Sequence, residues 1–181
     1  SWPSARAFQN AEAADLVHKS EHRAVRTGLR SGDEVFAAAQ DLLARLKPQF
    51  GGVSLQVQRH AEGHREVLLG MTRDVRYGPL FAAGLGGVQV ELLRDVVVRI
   101  GPLDGRDPHE MFSGLKGAAL LGAFRGSPPA DVDAGVEVLL RMQQLVQDFP
   151  QIQEVEVNPF ILASKDRRSV AVDARMRVEA R

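Results

Sequence analysis

The chain has 181 residues, 44% of them hydrophobic, enough for one well-filled domain or two small lobes and far from a disordered composition. Lys plus Arg and Asp plus Glu both total 23, so the net charge is zero; with the basic residues scattered, nothing marks a nucleic-acid or anionic-membrane partner. The absence of cysteine removes a disulfide framework, a thiolate nucleophile and any Cys-based zinc site, and fits a reducing compartment.

The opening SWPSARAFQN has neither the charged leader nor the apolar core of a signal peptide, and no run approaches the ~18 apolar residues of a membrane helix. A cytoplasmic protein is expected. The first twenty residues show no clear period, and Trp2 and Pro3 read as the interior of a longer chain. A strand is expected over Ala24–Leu29. SGDE at Ser31–Glu34 then reads as a capping box, with the Ser oxygen accepting an orphan amide hydrogen and Glu34 reaching back. The helix it opens, Val35 to about Leu46, stripes Val35, Ala38, Ala39, Leu42, Leu43 and Leu46 on one side, and Pro48 ends it.

Val53, Leu55 and Val57 alternate with polar residues as a strand, RHAEGHRE is a turn or hairpin connection, and Glu66–Met71 is the next strand. Two further short strands are predicted on Val88, Val90 and Leu92 and on Val96, Val98 and Ile100. Between apolar pieces lie Gly84, Gly86 and Gly87; a lone GLGG reads either as a tight turn with a bulge or as a phosphate loop, since residues without a Cβ allow close backbone approach or positive φ. A helix is predicted from Pro108 to about Leu115 with a glycine-broken continuation in KGAALLGAF, then a loop, RGSPPADVD, in which Asp131 or Asp133 caps the next helix. That helix, Ala134–Phe149, sends Val138, Leu139, Met142, Leu145, Val146 and Phe149 to a core.

QEVEVNPF follows, Gln153–Phe160. Period-two alternation turns Glu154, Glu156 and Asn158 to one side of a strand and Val155, Val157 and Pro159 to the other. SKDRR is a polar hairpin, and Ser169–Ala174 returns. Roughly equal arms about a turn near Asp166 and Arg167 are expected to place Asp173 across from the region of Glu156 to Asn158. Three oxygen-bearing side chains then converge. Mg²⁺ suits such a set because it keeps waters and is completed by substrate phosphate oxygens. Calcium would need more ligands, and zinc would more often recruit His, whereas the five histidines at 18, 22, 60, 64 and 109 lie outside the hairpin. Mixed helices and adjacent strand pairs argue for an α+β fold, with two lobes meeting near Gln58–Glu66, that is, domains 1–60 and 61–181.

Taken in order, ADLVHKSEHRAVRTGL, EVLLGMTRDVRYGPLFAAGLGGVQVELLRDVVVRIGPL, KGAALLGAFRGSPPADVD, DFPQIQEVEVNPFIL and VAVDARMRV resemble the ATP-grasp domain of the NDP-forming acyl-CoA synthetases, the group that includes succinyl-CoA synthetase beta chains. The resemblance runs from about residue 11 to residue 178. It implies an ATP-grasp fold of two α+β lobes, lacking the first part of the N-terminal lobe, that binds ATP or ADP with Mg²⁺. It implies Asn158 and Asp173 as the magnesium pair with Glu156 in or beside the shell, Gln58 and His60 near the adenine, and Glu66 near the ribose. Arg73, Asp74 and the loop holding Gly86 and Gly87 would line the phosphate and acyl-transfer side. Family members carry a VVLK-type lysine on the phosphates; here the equivalent zone reads WPSARAFQN, leaving Arg6, Lys19 and Arg26 as substitutes, and Arg23 stands where the family has glycine.

The implied function is the nucleotide-binding part of an ADP-forming acid–CoA ligase, partnered by a CoA-binding domain or subunit that carries the phosphohistidine, with a small carboxylic acid and CoA in the full assembly. The alternative is a non-catalytic or regulatory ATP-grasp-like module of a larger polypeptide. An unrelated α+β binding domain with a solvated acidic strand is the bare-pattern reading.

Overall fold

A computed structural model describes residues 7–12, 24–50, 52–59, 65–86, 95–123 and 126–179. The chain divides into two compact units, Ser1–His60 and Ala61–Arg181.

In the first unit, strands β1 (Ala7–Glu12), β2 (Val25–Leu29) and β3 (Ser54–Arg59) form an antiparallel sheet in the order β2-β1-β3. Helix α1 (Gly32–Leu46) buries Leu42 and Leu46 with Ala24, and Phe50, Val53 and Leu55 pack around them. Ser31 caps the helix as its sequence predicts, its hydroxyl accepting from the Glu34 amide at 3.2 Å. The Glu34 carboxylate reaches one residue further back than a capping box requires and accepts from the Arg30 amide at 2.7 Å. The central strand β1 lies where no sequence period announces a strand. Its position is fixed by ladders to β2 and β3, a long-range cause that local pattern does not carry.

The second unit is an antiparallel sheet ordered β6-β5-β4-β7-β8, with a further strand, β9, also on β7. Its members are β4 (Arg65–Asp74), β5 (Gly78–Leu85), β6 (Val96–Ile100), β7 (Ile152–Leu162), β8 (Val170–Ala171) and β9 (Ala174–Val178). Helices α2 (Asp107–Ser113) and α3 (Val132–Asp148) cover one face, and a short 3₁₀ turn, Ala118–Leu121, lies between them. Alternation decides which side chains meet the helices. Val67, Leu69 and Met71 of β4, Phe81, Ala83 and Leu85 of β5 and Val155 and Val157 of β7 are buried with Met111 and Phe112 of α2 and Leu139, Met142 and Val146 of α3. The opposite face keeps Val96, Val98 and Ile100 of β6 exposed.

Two helix expectations are revised. The glycine-broken continuation after α2 is the 3₁₀ turn and not a helix, and Phe149, placed in the core by helical period, is 48% exposed because α3 ends at Asp148 and Phe149 leaves the helical path. Asp131 stands at the N-cap of α3 but its side chain makes no capping bond. Asp133, the other candidate, instead accepts from Lys165 at 3.0 Å and pairs with His109 at 3.2 Å. Those contacts, Lys165 foremost, hold its carboxyl below the usual carboxylate range.

Buried Asp95 ties the loop after α2 to the sheet. Its carboxylate accepts from the Lys116 and Gly117 amides, both at 2.8 Å, while its carbonyl accepts from the Leu85 amide at 3.2 Å. Asp95→Ala orphans two amides at ~1–3 kcal/mol each. A loss of about 2 kcal/mol or more in urea unfolding is expected; a change inside the ~0.5 kcal/mol of ordinary surface substitutions would show that the carboxylate does not hold the loop.

Candidate magnesium and phosphate site

Strand β7 carries the site because its register against β4 slips once. Against β4, Val157 faces Leu69 but Phe160 faces Val67, so three steps along β7 match two along β4. The extra residue is a bulge at Asn158–Pro159. Pro159 supplies no amide hydrogen to a ladder, and the strand continues through it to Leu162. On the other side of β7, the Asn158 amide donates to the Asp173 carbonyl at 3.0 Å and the Val172 amide donates to the Pro159 carbonyl at 3.1 Å. The return strand is therefore two pieces, β8 and β9, with Val172 and Asp173 between them. The single strand Ser169–Ala174 expected from the sequence is broken by the bulge it has to follow.

That geometry brings Glu156, Asn158 and Asp173 together, as the hairpin reading anticipated, and adds Arg175. The four line a cleft of ≈ 150 Å³. At ~30 Å³ per water this space suits a cation with part of its water shell or a phosphoryl group, and not a whole nucleotide. Glu156 faces Arg175 directly across the β7–β9 ladder and Gly70 across the β4–β7 ladder. The Asn158 side-chain amide donates to Glu156 Oε1 at 3.2 Å, which turns the role of Asn158 toward its remaining acceptor, Oδ1. Asp173 Oδ2 lies 3.7 Å from the Arg175 guanidinium.

Among the described residues no group of three or more His, Cys, Asp or Glu side chains is arranged to hold a metal. The cleft offers two carboxylates and an amide oxygen, with no nitrogen or sulfur ligand. Such a sparse, all-oxygen set fits Mg²⁺, which accepts one or two carboxylates and takes its other ligands from water and phosphate.

The other sequence candidates do not gather here. Arg73 projects to the helix-covered face, where Nε donates to the Ile152 carbonyl and Nη2 to the Val146 carbonyl, both at 3.2 Å. Asp74 closes the β4–β5 turn, its Oδ1 accepting from the Arg76 and Tyr77 amides at 2.7 and 3.0 Å. Both side chains are engaged with backbone. Glu66 lies exposed at the opposite end of β4, facing Ile161 of β7. Gln58 is exposed on β3 of the first unit and donates to Gln56 at 3.2 Å. Lys19, His60 and Gly87 lie outside the described residues, as do Arg6, Arg23 and the strand predicted on Val88, Val90 and Leu92.

Gly86 sits where two backbone segments approach closely. Its amide donates to the Glu66 carbonyl at 2.6 Å, and a Cβ on it would fall 2.6 Å from the Glu66 carbonyl carbon. No positive φ is involved. Arg175 is the cleft residue that the sequence reading missed, and the hairpin register carried two pairs past Asp173 would have found it opposite Glu156.

The profile of the ATP-grasp domain family matches residues 10–178. The chain belongs to the ATP-grasp family of the NDP-forming acyl-CoA synthetases. It is 38% identical over 149 residues to acetate–CoA ligase [ADP-forming] I of Archaeoglobus fulgidus, an alignment covering 80% of this chain and 22% of that protein. It is 32% identical over 164 residues to the beta subunit of acetate–CoA ligase [ADP-forming] I of Pyrococcus furiosus, covering 89% of this chain and 70% of the subunit. Among solved structures it is similar to the dinucleotide-forming acetyl-coenzyme A synthetase 1 of Ca. Korarchaeum cryptofilum in complex with coenzyme A and Mg-AMPPCP, with its phosphohistidine segment pointing towards the nucleotide binding site. That match has a TM-score of 0.82 and 33% identity, and covers 96% of this chain and 76% of that one. The fold is thus an α+β ATP-grasp fold. This ATP-grasp chain spans about a fifth of the A. fulgidus ligase and about two thirds of the P. furiosus subunit.

Gly86→Val should destabilise the ATP-grasp chain by on the order of 1–3 kcal/mol, because the added atoms meet backbone that cannot rotate away. Gly105→Ala, where a Cβ meets nothing within 4 Å, is the matched control. Equal thermal midpoints for the two variants would contradict the close-approach reading.

Proposed function

We propose that this chain is the ATP- and Mg²⁺-binding part of an ADP-forming acid–CoA ligase, which interconverts a carboxylic acid, CoA and ATP with acyl-CoA, ADP and phosphate. The observation that carries the proposal is the cleft in which the β7 bulge sets Asn158 beside Asp173, with Glu156 bonded to the Asn158 amide. The similarity to a synthetase solved with Mg-AMPPCP supports it.

In this reading Asn158 and Asp173 hold the magnesium ion, and Glu156 holds it or orients Asn158. Bound Mg²⁺ draws negative charge from the phosphate oxygens and so favours phosphoryl transfer. The chain's own residues would hold that charge in place: Asn158 on β7 and Asp173 in the break between β8 and β9 are pre-positioned by the backbone hydrogen bond that joins them. Units 1–60 and 61–181 correspond in this proposal to residues of the N-terminal lobe and to the C-terminal lobe. Gln58 and His60 are assigned to the adenine side and Glu66 to the ribose side. Lys19 and Gly87 are assigned to the phosphate side. Arg73 and Asp74 enter as residues that hold the sheet and its turn, given the backbone bonds they make.

The acceptor of the phosphoryl group is proposed to be a histidine on a CoA-binding partner domain or subunit, in keeping with the phosphohistidine segment of the K. cryptofilum synthetase. Acid and CoA are bound by that assembly. Among the described residues no helix is long and apolar enough to cross a membrane, and a site fed by ATP suits the cytoplasm.

Asn158→Ala and Asp173→Ala should each weaken Mg-ATP binding in the assembled protein by ten-fold or more, to order of magnitude, while shifting the thermal midpoint little, since both side chains are exposed and contribute no apolar packing. Unchanged calorimetric affinity would remove them as ligands. This chain by itself should not turn over: acid- and CoA-dependent release of ADP and phosphate should appear only when the partner domain is added. Turnover by the chain alone would overturn the division of labour. Nucleotide binding with no phosphoryl transfer in the full assembly would favour the regulatory module instead.

A further inference from the structure

Resting on the magnesium–nucleotide reading above, we infer that Arg175 is a phosphate-binding residue of this site, its guanidinium taking oxygens of the phosphoryl group that the cation also holds. Arg175 lies on β9 directly opposite Glu156 and lines the same cleft as Asn158 and Asp173. It is the only cationic side chain among those lining the cleft.

Other arginines nearby are committed elsewhere. Arg177, two residues on and on the same side of β9, bonds to Glu154 at 3.3 Å. Arg73 is turned to the opposite face and bonded to two backbone carbonyls. Arg65, at the start of β4, donates to the Leu120 carbonyl. Arg175 differs from them. Its ion pair with Asp173 spans 3.7 Å, outside hydrogen-bond reach, and its side chain is 76% exposed. It neither packs against the core nor donates a close bond to Asp173, so a purely structural role has little to act through.

The charge pattern gives the position a use. Two carboxylates and one guanidinium leave the cleft with a single negative charge, and a divalent cation turns that into a single positive charge. A cation-loaded cleft therefore attracts a polyanion and the empty one does not. A planar guanidinium adds directed donors that can grip two phosphate oxygens at once, which an ammonium cannot.

Two roles for Arg175 predict opposite signs. If it binds phosphate, removing it takes a repelling positive charge away from the metal donors, so the affinity for a divalent ion alone is unchanged or higher, while affinity for the metal–nucleotide complex falls. If it only positions Asp173, both affinities fall together.

The experiment is calorimetry on the assembled protein with Mn²⁺ alone and with Mg-ATP, for wild type, Arg175→Ala, Arg175→Lys, Arg177→Ala and Asn158→Ala. Expected for Arg175→Ala is Mn²⁺ binding as tight as wild type or tighter, with Mg-ATP weaker by about 10- to 100-fold, the range for a lost charge-assisted bond. Arg175→Lys keeps the charge and should lose less, and it carries the test should the alanine variant not fold. Arg177→Ala should stay within about two-fold of wild type. Parallel losses of Mn²⁺ and Mg-ATP in Arg175→Ala, unchanged Mg-ATP affinity in both Arg175 variants, or an equal loss in Arg177→Ala each overturn the inference. If Asn158→Ala weakens Mg-ATP and the Arg175 variants do not, only the Arg175 role is lost. If wild type binds no Mg-ATP, or Asn158→Ala leaves it unchanged, the magnesium–nucleotide reading falls and takes this role with it.

Discussion

The ladder between β4 and β7 constrains everything else in the second unit. It joins the sheet half that ends at β6 to the half that holds β8 and β9, and its single slip at Asn158–Pro159 decides what β7 shows to each side. Before the slip, Val155 and Val157 sink toward the helices while Glu154 and Glu156 point away; after it, Phe160, Ile161 and Leu162 are all buried. One inserted residue thus lets the same strand serve an acidic open face and a fully apolar anchor. The apolar end contributes on the order of 1.5–3 kcal/mol for each large side chain removed from water, and that burial holds the polar end rigid without the polar residues contributing packing themselves.

Much of this was legible because it is written locally. The Ser31 cap, the α1 stripe and the alternation of Val96, Val98 and Ile100 and of Glu154–Val157 are short-range patterns tied to a helical or strand period. Roughly equal hairpin arms were enough to set Asp173 near the Glu156–Asn158 stretch; the observed register, centred between Lys165 and Asp166, sets it beside Asn158. What escaped depends on partners distant in sequence. The β1 strand exists through pairing with β2 and β3, and the bulge is defined only relative to β4. Phe149 was misplaced for a smaller reason: helical period extrapolates past the residue at which a helix ends.

The site candidates divide along the same line. Glu156, Asn158 and Asp173 share one hairpin, so their meeting follows from register. Arg73 and Asp74 sit among segments that resemble the family, yet sequence order does not reveal which face of β4 a residue takes or whether a carboxylate is already closing a turn. Arg175 was overlooked for the converse reason. An arginine on a fully exposed strand reads as a solvated charge until its cross-strand neighbour is known.

The confinement of Glu156, Asn158, Asp173 and Arg175 to twenty consecutive positions has a consequence for how this region tolerates change in chain length. Residues added at the polar tip between Ser164 and Arg168 project into solvent and leave the paired arms as they are. A single residue added between Val172 and Arg175 reverses the facing of every later β9 side chain, because strand facing repeats every two residues. The tip of this hairpin therefore tolerates a change of length, whereas the spacing from Asp173 to Arg175 does not.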